Sequence, residues 1–306
     1  LELNIEDEWG VKGFDAVIGN PPYSTNPSEQ NAKPLHNLFI EKYIDICQYM
    51  LFVVPSRWFV GGKGLDAFRQ FMMNREDITT IVHEDDAKRW FGKNVEIKGG
   101  VNYFVKDTGY TGGCMFNTVM YKKLSKYDCI VKPEYHRIID LVIALCVTHN
   151  SLDTIYKSRG FFGYMTNDKR LKEDGETKCY VSYLKSKQRY KFVDDFVFND
   201  ENMFWKVITP KASFKGFSGF GFKFVGKPNE IYTDSYISFK VNSEEEANYL
   251  VSYLNTQFVN HLLSIRKISQ DISKKTIKWI PLVPLDREWN DEMVCDYFNI
   301  DKNLYM

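Results

Sequence analysis

No stretch of this 306-residue chain is apolar for long enough to span a bilayer. Its six cysteines (Cys47, Cys114, Cys129, Cys146, Cys179 and Cys295) are scattered. None forms a Cys-x-x-Cys pair, and none stands at zinc-ligand spacing from a histidine. A disulfide scaffold and a cysteine-based metal site are therefore not expected, and no catalytic metal is assigned. A reducing, cytoplasmic setting fits these thiols. The chain has no net charge, no internal repeat and no low-complexity tract, and Leu1–Asn4 does not read as a signal peptide. It also has no glycine-rich turn in residues 1–13. Its 44% hydrophobic and 26% charged residues are those of a globular chain, long enough for two domains.

The zero net charge hides an asymmetry. Residues 157–280 hold 21 Lys/Arg against 14 Asp/Glu, so the remainder is acidic. The basic part is also rich in Tyr and Phe. Cations interleaved with flat rings suit a surface that grips phosphates and stacks bases, although a solvated basic face has the same composition.

The most informative string is FDAVIGNPPY, Phe14 to Tyr23. Phe14–Ile18 is a short β-branched apolar run between Gly13 and Gly19, which reads as a buried strand. Asn20-Pro21-Pro22-Tyr23 cannot continue a sheet, because the prolines lack N–H donors and fix φ. Pro21 also pushes Asn20 away from the helical region. The result is a stiff loop at the carboxyl end of a strand, where ligands bind in α/β sheets. The Asn20 side-chain oxygen and the Pro21 carbonyl are two acceptors placed close together. They suit a planar –NH2 group, and Tyr23 offers a face on which a ring can stack. The implied guest is an amino group on an aromatic or amide plane; a plain proline-stopped turn is the bland alternative.

This string resembles the catalytic motif of amino-methylating methyltransferases. More closely, it is similar to that of adenine-specific DNA methyltransferases of restriction–modification systems. The likeness continues loosely through VVPSRWF (Val53–Phe59), WFGKNVEIKGGVNYFVKD (Trp90–Asp107) and IKWIPLVPL near the C-terminus. It implies S-adenosyl-L-methionine as cofactor and double-stranded DNA as partner. It implies a catalytic loop of Asn20, Pro21, Pro22 and Tyr23, and a target-base pocket of Tyr23, Phe91 and Tyr103. Cofactor contacts fall to Asn20, Leu38 and Phe39. For Leu38 and Phe39, packing of a helix on the sheet is an equal reading; Phe91, Tyr103 and Phe104 could equally be core. A protein glutamine-amide methyltransferase and a non-catalytic DNA-specificity fragment stay open as alternatives.

In chain order, the segment 24–34 (STNPSEQNAKP) reads as a mobile loop. Residues 35–50 read as a helix, Met50–Val54 as a strand, 64–74 as a helix, and Ile78–Val82 and Val101–Val105 as strands. A bend falls at Gly109–Gly113 and an apolar helix at 133–148. The expected fold class is α/β: a partial doubly wound methyltransferase sheet in residues 1–150, followed by an α+β target-recognition domain in 151–306. In the second part Tyr236–Val241 reads as a strand, and Asn242 or Ser243 caps a helix running to about Ser264. Lys211, Lys215, Lys274 and Lys275 are the expected DNA contacts. In the resembled family a glycine-rich cofactor loop and an acidic residue precede the NPPY strand. Residues 1–13 cannot hold them and there is no initiator Met. The chain is therefore expected to be the C-terminal portion of a longer enzyme. It would bind the cofactor poorly alone and lean on a missing N-terminal half or a separate subunit.

Overall fold

A computed structural model describes residues 6, 10–25, 32–184, 187–212, 219–267 and 271–305. The chain divides into two compact units, residues 1–134 and 135–306. The division falls ahead of the helix His136–His149, which belongs to the second unit.

The first unit is built on one mixed sheet of β1 (Phe14–Gly19), β2 (Cys47–Pro55), β3 (Ile78–Glu84), β4 (Val101–Asp107), β5 (Cys114–Phe116) and β6 (Val119–Tyr121). The spatial order is β1-β2-β4-β3-β5-β6. β1 runs parallel to β2 and β3 parallel to β5, while β4 lies antiparallel between β2 and β3. The link from β3 to β4 carries only a one-turn helix, Lys88–Phe91, so the chain returns as a reversed strand without a full crossover helix. All four strands read from sequence are present. The Gly109–Gly113 bend leads into the additional hairpin β5–β6.

Two readings change. The helix expected over 35–50 spans only His36–Tyr43, then a single 3-10 turn, and β2 begins at Cys47. Ile44, Cys47 and Met50 are buried either way, so their spacing fits a helix or a strand. The strand expected to be buried, β1, is largely exposed: Ile18 is 75% accessible. Among the described residues β1 pairs only with β2, so one edge and much of its face meet solvent. The interior lies instead around β2, β4 and β3, where Phe52, Phe104, Ile81 and Phe116 form one cross-strand row with Gly19 at its β1 end.

The second unit holds two small sheets. One is antiparallel, with β7 (Tyr156–Lys157), β10 (Trp205–Pro210), β11 (Phe224–Gly226) and β13 (Tyr236–Val241) in the order β11-β10-β13-β7. The other contains β8 (Thr177–Leu184), β9 (Lys187–Val193) and β12 (Ile231–Tyr232) in the order β12-β8-β9. Tyr232 and Tyr236 from the two sheets meet Phe162, Tyr164 and Phe204 from the adjoining loops in one core. The helix expected to run from the Ser243 cap to Ser264 is two helices, Glu244–Leu254 and Gln257–Arg266. Ser243 caps the first by accepting from the Glu246 amide at 3.1 Å. Thr256 breaks the run, because its extended backbone lets its hydroxyl accept from the Val259 amide and restart the helix.

Lys206 on β10 is fully buried, and its ammonium donates to the carbonyls of Lys227, Pro228 and Glu230. Burial pushes its pKa down to about 7, partly offset by the Glu230 charge. An unfolded lysine titrates near 10.4. Between these values the unfolded chain binds a proton that the folded one lacks, so stability should rise with pH from about 7 to about 10. The slope is at most about 1.4 kcal/mol per pH unit. Denaturant titrations across that window should show this component in the wild type and its loss in Lys206→Met. An identical pH profile in the variant would place the lysine's titration elsewhere.

Candidate active site

The carboxyl ends of β1, β2 and β3 and the start of β4 lie at one end of the sheet, set by the pairings Gly19 with Phe52, Pro55 with Val101 and Glu84 with Val101. Asn20-Pro21-Pro22-Tyr23 leaves β1 there. Asn20 is exposed, Pro21 buried and Pro22 exposed. Tyr23 turns inward. Its ring meets the His36 ring edge-on at 6.5 Å, and burial raises its phenol pKa, partly offset by the Asn20 side chain. The Tyr23 hydroxyl is enclosed without a well-formed hydrogen bond to any described residue.

The two ends of the following segment, 24–34, are tied together. Ser24 bridges to Pro34, the Thr25 amide donates to the Lys33 carbonyl at 2.9 Å, and the Leu35 amide donates to the Tyr23 carbonyl at 3.1 Å. Residues 26–31 lie outside the described residues.

Beside the motif is an open hollow of about 550 Å³, with Asn20, Pro21, Ile18, Phe39, Tyr43 and Phe52 among its lining. It brings Asn20, Pro21 and Phe39 together. Leu38, 54% exposed, is not part of the lining. Tyr43 was not singled out from sequence; its helical spacing from Phe39 was the available signal. The wall is apolar and aromatic and suits a flat purine. Among the described residues no carboxylate lines it.

Phe91 ends the one-turn helix 88–91 and is 36% exposed. Its neighbour Trp90 packs on Tyr103, with ring centroids 5.8 Å apart. Tyr103 is half-buried, while Phe104 is fully buried. The strand's alternation thus separates a ring available near the surface from a core ring.

A polar network behind this end was not anticipated. Asn102, fully buried, donates to the Val54 carbonyl at 3.2 Å and to Ser56 Oγ at 3.1 Å. Ser56 Oγ lies 2.8 Å from His83 Nδ1, and His83 Nε2 lies 3.0 Å from Asp85 Oδ1. Lys132 holds the other Asp85 oxygen. Hydrogen bonds first from His83 and then from Lys132 keep the Asp85 carboxyl well below its usual range. The carboxylate only accepts, so with neutral imidazole the donors run Asn102 to Ser56 to His83 to Asp85. Ser56 is fully buried and already engaged, which makes this series a tie between β2, β3 and β4 rather than a nucleophilic triad. Gly100 completes it. Its carbonyl accepts from the Ser56 amide at 3.0 Å, and at φ +79° an added Cβ would sit 2.3 Å from the Glu84 carbonyl oxygen.

In the second unit the interleaved aromatics expected on a surface are mostly core. Phe162, Phe204, Tyr232 and Phe239 are buried, and Tyr190 at 52% exposure is an exception. Lys178 lies over both Tyr180 and Tyr190, 4.7 Å from each centroid. Of the expected DNA-contacting lysines, Lys211 is paired with Asp234 at 3.2 Å and only a quarter exposed. Lys215 lies outside the described residues. Lys274 and Lys275 are exposed in the first turn of the short helix Lys274–Ile277, with Lys274 4.0 Å from Asp153.

Comparison with known proteins bears out the resemblance drawn from the motif. Residues 2–91 match the family described as Eco57I restriction-modification methylase. A 128-residue stretch is 33% identical to an uncharacterized adenine-specific methylase of Mycoplasma pneumoniae; it makes up 40% of this chain and 30% of that protein. Among solved structures, the type IIG restriction endonuclease BpuSI aligns over 93% of this chain and 48% of its own, at 12% identity and a TM-score of 0.36. The type IIL restriction-modification enzyme MmeI, solved in complex with DNA, aligns over 91% and 47%, at 10% identity and a TM-score of 0.42. The chain thus spans less than half the length of each.

Among the described residues no helix is long and apolar enough to cross a membrane. No cluster of metal-ligating side chains occurs among them either.

Proposed function

We propose that this chain carries the catalytic loop and a DNA-gripping part of a site-specific DNA methyltransferase. It would transfer a methyl group from S-adenosyl-L-methionine to the exocyclic amine of adenine within a restriction–modification system. The observation that carries this is Asn20-Pro21-Pro22-Tyr23 at the carboxyl end of β1, beside an aromatic hollow, within the segment that matches a restriction–modification methylase family.

The chemistry follows from what the loop offers. An aromatic amine is a poor nucleophile because its lone pair is delocalised into the ring. Acceptors at the Asn20 side chain and the Pro21 carbonyl draw on the two amine hydrogens and favour a pyramidal nitrogen with a localised lone pair. They also face the positive charge that develops as the nitrogen takes the methyl, a dipole fixed before reaction. One amine proton then leaves to solvent. The cofactor supplies an electrophilic methyl group; Phe39 and Tyr43 would lie against its purine, with Asn20 at the reacting end. An adenine inside a duplex cannot reach this loop, so the base must leave the stack and lie against Tyr23 and Phe91, with Tyr103 behind.

The test is transfer of labelled methyl groups by the full-length protein to duplex DNA and, separately, to glutamine-containing peptides. N6-methyladenine as product supports the proposal. Methylation of the peptide amide alone overturns it in favour of a protein methyltransferase, and no transfer to either leaves a specificity subunit.

The exposed lysines give a second check. Lys274→Glu with Lys275→Glu should weaken binding to all DNA sequences about equally. The double reversal should lower the slope of log affinity against log salt by about 2. A slope equal to the wild type's would take this helix off the DNA.

A further inference from the structure

His36 is 2% exposed, and its Nδ1 lies 3.1 Å from the carbonyl oxygen of Tyr23, the last residue of the catalytic loop. A carbonyl only accepts, so Nδ1 carries the proton. The same carbonyl receives the Leu35 amide at 3.1 Å. These two donors come from the entry to the helix His36–Tyr43, which also presents Phe39 and Tyr43 to the hollow. Burial lowers the pKa of the imidazole and keeps it neutral. With Nδ1 protonated, Nε2 is an acceptor, buried without a hydrogen-bond partner among the described residues. Its two flanking rings, Tyr23 and Phe68, meet it edge-on at 6.5 Å and 6.2 Å and offer packing.

We infer that His36 is a positioning residue of the methyl-transfer site: its Nδ1–H tautomer pins the Tyr23 carbonyl and so sets the ring on which the target base stacks. The inference rests on the methyltransferase reading for its effect on rate, and on the geometry alone for the tautomer. Among the described residues the Tyr23 hydroxyl makes no well-formed hydrogen bond, and its one polar neighbour is the Asn20 side chain. Two donors on one carbonyl hold the backbone from which that ring projects. A rotation there would carry the stacking face out of line with the acceptors at Asn20 and Pro21. Misplacement of that kind lowers the rate of the chemical step more than it weakens DNA binding.

Two measurements test this. In the full-length protein, His36→Asn keeps a donor near the Nδ1 position, whereas His36→Gln moves it outward and His36→Phe removes it while filling the space. His36→Asn should keep kcat for methyl transfer within about three-fold of wild type. His36→Gln and His36→Phe should lose roughly ten-fold or more, with KM for DNA changed less than three-fold. Equal kcat in the Asn and Gln variants overturns the inference, and because both are polar replacements this comparison survives a folding failure of His36→Phe. The second measurement needs no activity. Nitrogen-15 spectra of histidine-labelled protein, with the His36 signal identified by its loss in His36→Asn, should show the neutral Nδ1–H form. An Nε2–H form overturns the inference. If the wild type transfers no methyl group at all, the functional reading fails while the spectrum still decides the clamp.

Discussion

Asn20→Ala in the full-length protein should reduce methyl transfer on the order of 100-fold or more while leaving DNA affinity within a few-fold of wild type. Asn20 follows β1 directly, exposed at the mouth of the aromatic hollow, with Pro21 buried behind it. Its side-chain oxygen is one of two acceptors for the amine hydrogens, and their effect grows as positive charge develops on nitrogen. The loss should therefore appear in kcat rather than in KM. Asn20→Asp keeps an acceptor but adds charge and removes the amide's donor, so it should retain part of the rate. Transfer of labelled methyl groups at saturating cofactor and DNA reads all of this. Activity of Asn20→Ala near wild type would remove the residue from the chemistry.

The second large effect separates stability from catalysis on one strand. Phe104 is fully buried on β4, between Phe52 of β2 and Ile81 of β3. Phe104→Ala should destabilise the first unit by about 3–5 kcal/mol, the cost of lost burial plus the cavity left behind. Tyr103, one position earlier, is half-buried against Trp90. Tyr103→Ala should cost about 1 kcal/mol or less of stability. It should lower methyl transfer instead, because the ring stands behind the proposed base pocket. Chemical denaturation and transfer assays on the two variants give opposite patterns if the alternation is functional. Comparable loss of stability in both would make Tyr103 a core residue and remove it from the pocket.

The same alternation shows how far the sequence reached. The strands Phe14–Gly19, Cys47–Pro55, Ile78–Glu84 and Val101–Asp107 were legible because β-branched runs bounded by Gly, Pro or polar residues are local signals. The NPPY loop was legible for the same reason, since its stiffness lies in two adjacent prolines and its acceptors in two adjacent residues. Ser243 as a helix cap was legible too, as was the helix His136–His149 to within a few residues.

Other features depend on which segments meet. β1 reads as a buried strand, but among the described residues it pairs on one side only, and Ile18 stands in solvent. Tyr103 and Phe104 are equivalent in composition, and only the pairing with β2 and β3 makes one of them core. The lysine–aromatic pattern of residues 157–280 looked like a surface. Folding buries most of those rings, buries Lys206 under three carbonyls and commits Lys211 to Asp234. His36 gave no sequence signal, since its partner is a backbone carbonyl thirteen residues away. The network from Asn102 to Asp85 likewise joins three strands that are distant along the chain. The sequence by itself determined the local chemistry: strand segments, the stiff acceptor loop and the caps. Tertiary structure decided burial and partnership, because these depend on contacts between segments far apart in the chain, which no local pattern encodes.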